Sequence, residues 1–216
     1  MTELQRRLQM TDRAGLVFVI SGPSGSGKGT VVDILREIYD DVGVSVSATS
    51  RQPRPGERDG VNYYYKTREE FESLIKNNEV LEYTQYNGNY YGTLKSEADR
   101  ITESGKDLIL EIEIDGGSQV KRLLGDRCIN IMLTAPDATE LERRLRDRGT
   151  ETEEAILGRL KRAKEEIREG VNMDYLVVNE TGKSRECAEK LLTIIKAEHM
   201  RAHRAEEYLK RNFPEN

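Results

Sequence analysis

At 216 residues the chain has room for one good-sized domain, or a domain with insertions, and is long enough to bury a real core. A net charge of −5 argues against a nucleic-acid-binding surface, so any phosphate chemistry must be confined to a local basic cleft. With 36% hydrophobic and 34% charged residues, no Trp and no apolar run of membrane-spanning length, the composition predicts a soluble α/β protein without a membrane partner. Cys128 and Cys187 stand far apart, which suggests a reducing, cytoplasmic setting rather than a disulfide framework. His199 and His203, four residues apart in a polar helical tail, read as a solvated helix face in preference to a metal site.

Residues 1–14 mix arginines with acids, lack an apolar segment, and read as a loosely ordered extension rather than a signal peptide. The organising stretch follows. Residues 16–39 run from an apolar strand through the glycine-rich turn SGPSGSGKGT into a helix with Val31, Ile34, Leu35 and Ile38 on one side. Gly22, Gly25 and Gly27 free the backbone so that successive N–H groups can surround an anion, with Pro23, Ser24 and Ser26 between them and a helix N-terminus behind. Lys28 adds a mobile point charge. Where the common form of the motif has a magnesium-binding hydroxyl directly after the lysine, this chain has Gly29, with Thr30 one place later, so a Mg2+ ion would be held there largely through water.

A helix over 30–40 leads to alternating residues at 42–47 that predict a short strand. Residues 47–65 hold Arg51, Arg54 and Arg58 among prolines and glycines, then three consecutive tyrosines; composition leaves a solvated linker and a phosphate clamp equally open. A helix over 67–79 capped by Thr67, a strand from Val80 and a hairpin turn at Asn87-Gly88 complete a polar, tyrosine-rich insertion over 47–93. After a helix over 95–105, residues 107–117 predict a core strand with Glu111 and Glu113 pointing to one side, where they would border the site. A strand at 128–136, a helix at 137–148 and a second helix capped by Thr152 follow. Arg144, Arg148, Arg159 and Arg162 flank the Gly149 hinge between these helices, which makes a mobile cationic lid over 148–170 at least as good a reading as a solvated face. A terminal strand at 175–179 and a long helix from Ser184 close the fold.

Five motifs in register, SGPSGSGKGT, VSVSATSRQPRPGERDGVNYYY, EYTQYNGNYYGT, LILEIEIDG and RGTETEEAILGRL, closely resemble the guanylate kinase family over about residues 15–198. The resemblance implies a parallel sheet with a phosphate loop, flanked by helices, in a core of residues 15–46, 94–147 and 171–216, carrying a small mixed α/β GMP-binding insertion and a helical lid. It implies transfer of the γ-phosphoryl of ATP to GMP in purine nucleotide metabolism, with Mg2+ as cofactor. It assigns the GMP phosphate to Arg51, Arg54, Tyr63 and Tyr91, and the guanine to Ser47, Glu82 and Thr93. Glu111 and Glu113 would line the ribose, base or magnesium region. Lys28, Arg144, Arg148 and Arg159 would surround the ATP phosphates, with Asn179 near the adenine. Chemistry supports the base assignment: guanine offers N1–H and N2–H donors that the two oxygens of Glu82 match, whereas adenine presents an acceptor there.

The chain departs from the family pattern at Glu111 and Glu113, where many relatives have Asp, and at Asp115-Gly116-Gly117, which replaces a Gln-Gly-Ala type sequence. Two alternatives stand beside this reading. Guanylate-kinase-like domains also serve as non-catalytic protein-binding modules, which the intact phosphate loop with Lys28 disfavours; a kinase for another nucleoside monophosphate is disfavoured by Glu82. Monomer and homodimer, and GMP and dGMP, stay open.

Overall fold

The structure, a computed structural model, describes residues 14–147, 152–205 and 213. Five parallel strands form the main sheet: β1 (Val17–Ser21), β2 (Val42–Val44), β7 (Asp107–Leu110), β8 (Cys128–Thr134) and β9 (Tyr175–Val178), in the order β2-β7-β1-β8-β9. Residues at both odd and even positions of the central strands are apolar, so both faces need covering, and helices cover both. Phe18 and Ile20 pack with Val31, Leu35, Leu191 and Ile195 of α1 (Lys28–Ile38) and α7 (Ser184–His199). Val17 and Val19 pack on the opposite face with Ala98, Ile101 and Val120, from α3 (Lys95–Glu103) and α4 (Ile114–Leu124). Each fully buried Val, Leu, Ile or Phe side chain among these contributes about 1.5–3 kcal/mol.

β1 lies between β7 and β8, so the strand order reverses around it and a crevice opens beyond its carboxyl end. The glycine-rich turn leaves β1 at that point.

A second sheet, in the order β4-β3-β6-β5, comprises β3 (Ala48–Thr49), β4 (Tyr64–Tyr65), β5 (Val80–Tyr86) and β6 (Asn89–Leu94). Its own small core is Ala48, Phe71, Val80 and Tyr90, with the Phe71 and Tyr90 rings stacked at 5.1 Å. Phe71 belongs to α2 (Arg68–Lys76), which starts with the expected cap: the Thr67 hydroxyl accepts from the Glu70 N–H while the Glu70 carboxylate accepts from the Thr67 N–H. Asn87 and Gly88 both have positive φ, as a tight hairpin turn requires. Outside the sheets, α5 (Ala138–Arg146) and α6 (Glu153–Glu169) carry side-chain N-caps at Asp137 and Thr152.

Three local expectations need correction. The strand expected over 107–117 ends at Leu110, and α4 begins at Ile114, so Glu111 and Glu113 do not share a strand face. The apolar positions through Ile114 satisfy a two-residue and a helical period alike, and α4 has no side-chain cap to mark its start. The strand expected over 42–47 ends at Val44, in the main sheet; residues 45–47 are not strand, and the next strand, Ala48–Thr49, belongs to the second sheet. His199 is not on a solvated face: its ring is 8% exposed, and Nε2 lies 2.8 Å from Asp107 Oδ1 at the start of β7. Residues 1–13 of the extension expected over 1–14, Arg148 and the Gly149 hinge lie outside the described residues.

Candidate active site

The phosphate loop is fixed by close approach. Gly22 has φ +150°, and a Cβ built there would lie 2.0 Å from the Leu133 carbonyl oxygen, so β8 requires glycine at this position. Gly27, left-handed at the N-cap of α1, leaves space for the Asn179 amide, which a Cβ would meet at 2.4 Å. Asn179 is buried at the end of β9; its Nδ2 donates to the Ser26 carbonyl at 2.9 Å, tying the loop down from below. Asn179 Oδ1 and Ser26 Oγ are buried and make no hydrogen bond among the described residues. Lys28 Nζ folds back onto the Gly22 and Pro23 carbonyls, and the Ser21 hydroxyl donates to the Ile112 carbonyl at 2.7 Å.

Arginines reach this loop from two helices. Arg144 Nε donates to Glu140 at 2.7 Å, and its terminal nitrogens to the Asn179 and Ser26 carbonyls at 2.9 and 3.4 Å. Hydrogen bonds from Arg143, Thr181 and Arg144 hold the Glu140 carboxyl well below the usual carboxylate range. Arg159, on α6, donates to the Ser24 hydroxyl at 2.8 Å. Arg144 borders a cavity of about 280 Å³ that is lined also by Gly25, Thr30, Asn179 and Thr181. The Thr30 hydroxyl and the Glu111 carboxylate, whose Oε2 would stand 3.8 Å from a Cβ on Gly29, are hard oxygen donors beside the loop. Burial raises the Glu111 pKa, against the pull of Lys28. Among the described residues no group of three or more His, Cys, Asp or Glu side chains could hold a metal alone. A few oxygen donors that need phosphates and waters to complete the shell fit Mg2+, which dehydrates reluctantly.

In the second sheet the predicted residues form two groups. Arg51 lies over the Tyr63 and Tyr65 rings at 5.4 and 5.9 Å, and Tyr63 meets Tyr91 edge-on at 6.0 Å. Sequence reasoning missed the group that orders this cluster. Glu57 accepts both terminal nitrogens of Arg51 at 3.0 Å, the Arg54 N–H at 2.7 Å and the Tyr65 hydroxyl at 2.8 Å. Arg51 chiefly, then the Arg54 N–H, lowers the Glu57 pKa to about 2. An acid six residues after an arginine in a Pro-Gly turn was the available signal. Arg54 itself is exposed, and Ser47 is half-buried with its carbonyl accepting from the Tyr64 N–H.

The other group is Glu82 with Thr93. Glu82 is 5% exposed, accepts the Thr93 hydroxyl at 2.8 Å, and has its pKa raised by desolvation, against hydrogen bonds from Thr93. Glu113 stands apart from this group, 3.1 Å from Arg162 on α6.

The sequence pattern of the family described as Guanylate kinase matches residues 15–198, the span that holds every described site residue above. The chain belongs to the guanylate kinase family. It is 46% identical over 202 residues to the guanylate kinase of Oceanobacillus iheyensis, covering 93% of this chain and 97% of that one. It is 48% identical over 190 residues to the guanylate kinase of Lactococcus lactis, covering 88% and 91%. The crystal structure of guanylate kinase from Anaplasma phagocytophilum superposes with a TM-score of 0.69 at 30% identity, covering 95% and 98% of the two chains. Gly117, where the chain departs from the guanylate kinase pattern, is closely packed: a Cβ would lie 3.0 Å from Val19 Cγ1 and 3.3 Å from Asn130 Oδ1.

Proposed function

We infer that the protein catalyses ATP + GMP → ADP + GDP, serving purine nucleotide metabolism in a cytoplasm whose reducing character suits its two unpaired, buried cysteines. The observation that carries the substrate choice is the buried Glu82 carboxylate with Thr93 beside it, since a desolvated pair of acceptors rewards guanine's two donors and penalises a base without them.

In this reading Gly22, Pro23, Ser24, Gly25, Ser26, Gly27, Lys28, Gly29 and Thr30 cradle the ATP phosphates, with Asn179 supporting the loop and the cavity beside it taking the adenosine portion. Residues 47–93 form the GMP-binding part: Arg51, Arg54, Tyr63 and Tyr91 hold the phosphate, Ser47, Glu82 and Thr93 the base, and Glu111 and Glu113 the ribose side. Residues 148–170 act as the lid over the core. Thr30 and Glu111 would hold Mg2+ through water, and the ion would neutralise phosphate charge when bound. Phosphoryl transfer demands alignment and positive charge more than covalent help. Lys28, Arg144, Arg148 and Arg159 supply that charge, and closure over the crevice excludes the water that would otherwise hydrolyse ATP. ADP release measured with GMP, dGMP, AMP, CMP and UMP tests the assignment: GMP should exceed AMP, CMP and UMP by several orders of magnitude, and equal turnover of any of these three would refute it.

A further inference from the structure

β5 is the edge strand of the second sheet, paired with β6 on one side only. An edge strand offers unpaired backbone groups, and at one residue this edge is closed by a side chain. Gln119 Oε1 accepts the Tyr83 N–H at 3.2 Å, and Gln119 Nε2 donates to the Tyr83 carbonyl at 3.3 Å. A primary amide carries an acceptor and donors together, so it can answer an N–H and a C=O at once, as a neighbouring strand would.

The clamped residue follows Glu82 directly. The register between β5 and β6 shifts between Val80 and Glu82, an irregularity of the kind that re-aims side chains. One helical turn before Gln119 on the same face of α4, Gly116 approaches the carboxylate so closely that a Cβ there would lie 3.2 Å from Glu82 Oε2. The opposite end of this contact is rigid: Gly117 fits against Val19, and its carbonyl accepts from the buried Asn130 amide. The face of α4 that meets β5 is therefore fixed to the main sheet.

We propose that Gln119 is a positioning residue for base recognition, its amide pinning the Tyr83 backbone so that the Glu82 carboxylate keeps the direction needed to meet both guanine donors at once. The proposal rests on Glu82 being the guanine reader and adds the means by which its aim is set from the core. A carboxylate held by Thr93 alone can rotate with its strand, and a bidentate contact loses one bond when it does.

The test compares Gln119→Met, similar in length but unable to make either bond, and Gln119→Glu, which keeps the acceptor and sets a second oxygen against the Tyr83 carbonyl. Both should raise KM for GMP about tenfold, with KM for ATP and kcat at saturating GMP within about twofold of the parent. The preference for GMP over IMP, which lacks the 2-amino group, should fall. Hydrogen exchange at the Tyr83 amide should quicken, and in a Glu82→Gln background the Gln119 substitutions should cost little more, because the two act through one contact. Faster exchange at Tyr83 with unchanged KM for GMP and unchanged IMP discrimination would overturn the proposal, as would equal rises in both KM values. If Glu82→Gln alone leaves GMP kinetics untouched, the guanine-reader assignment fails instead.

Discussion

Lys28 Nζ rests on the carbonyls of the loop it belongs to, so its charge is held beside the place where phosphates would enter. Its greatest value comes when negative charge shifts onto the β/γ bridge. Lys28→Ala should therefore lower kcat by on the order of 10²-fold or more while GMP affinity, measured by calorimetry, stays nearly constant. Unchanged kcat would remove Lys28 from the reaction. Single residues were legible where their chemistry is local: the loop glycines, Lys28 and the Thr67 cap follow from spacing alone. His199 was not legible, because the partner that buries it, Asp107, lies 92 positions earlier and only the packing of α7 against the sheet brings them together.

At the scale of elements, the turn from Arg51 to Glu57 behaves as one hydrogen-bonded unit that aims a guanidinium. Glu57→Gln keeps the shape but removes the charge from that unit, and should raise KM for GMP several-fold with KM for ATP unchanged; equal changes in both would mean the turn is only structural. The pH dependence has a definite sign. The folded-state pKa of Glu57 is lowered from the usual 4.5 to about 2, so its contribution to order in the turn is complete above about 4.5 and is lost as pH falls through that window. Tyrosine resonances of the turn, followed by NMR between pH 5 and 2, should shift as it titrates. The sequence left clamp and linker equally open here because composition does not say which acid meets which arginine. β1 and β8, buried at every position and largely apolar because both sheet faces are covered, and α1 and α7, whose apolar residues recur at helical spacing, were legible because that burial is written directly into their sequence. Glu111 and Glu113 lie where the period changes from strand to helix, and the alternation there misled.

Across the whole molecule, like-charge repulsion between arginine-rich segments would explain an open empty enzyme only if those arginines lacked counter-ions. Many have them: Arg51 meets Glu57, Arg144 meets Glu140, Arg146 meets Glu153, and Arg162 meets Glu113 and Glu166. The Arg162–Glu113 pair ties α6 to the start of α4, yet with side chains 63% and 69% exposed it is of the class that contributes about 0–1 kcal/mol, weak enough to exchange for phosphate. In the closure proposed above, the driving charge would come from the nucleotides. A distance probe between Ser73 on α2 and Lys164 on α6 should shorten with GMP plus a non-hydrolysable ATP analogue, and less with either alone; an unchanged distance in the ternary complex would end the closure account. The central claim is that the phosphate loop and the second sheet around Glu82 hold ATP and GMP for one phosphoryl transfer. Phosphorus NMR of ATP and GMP mixed with the protein and Mg2+ tests it most directly: the account predicts ADP and GDP resonances growing in equal amounts with no inorganic phosphate, and ADP appearing with inorganic phosphate in place of GDP would contradict it.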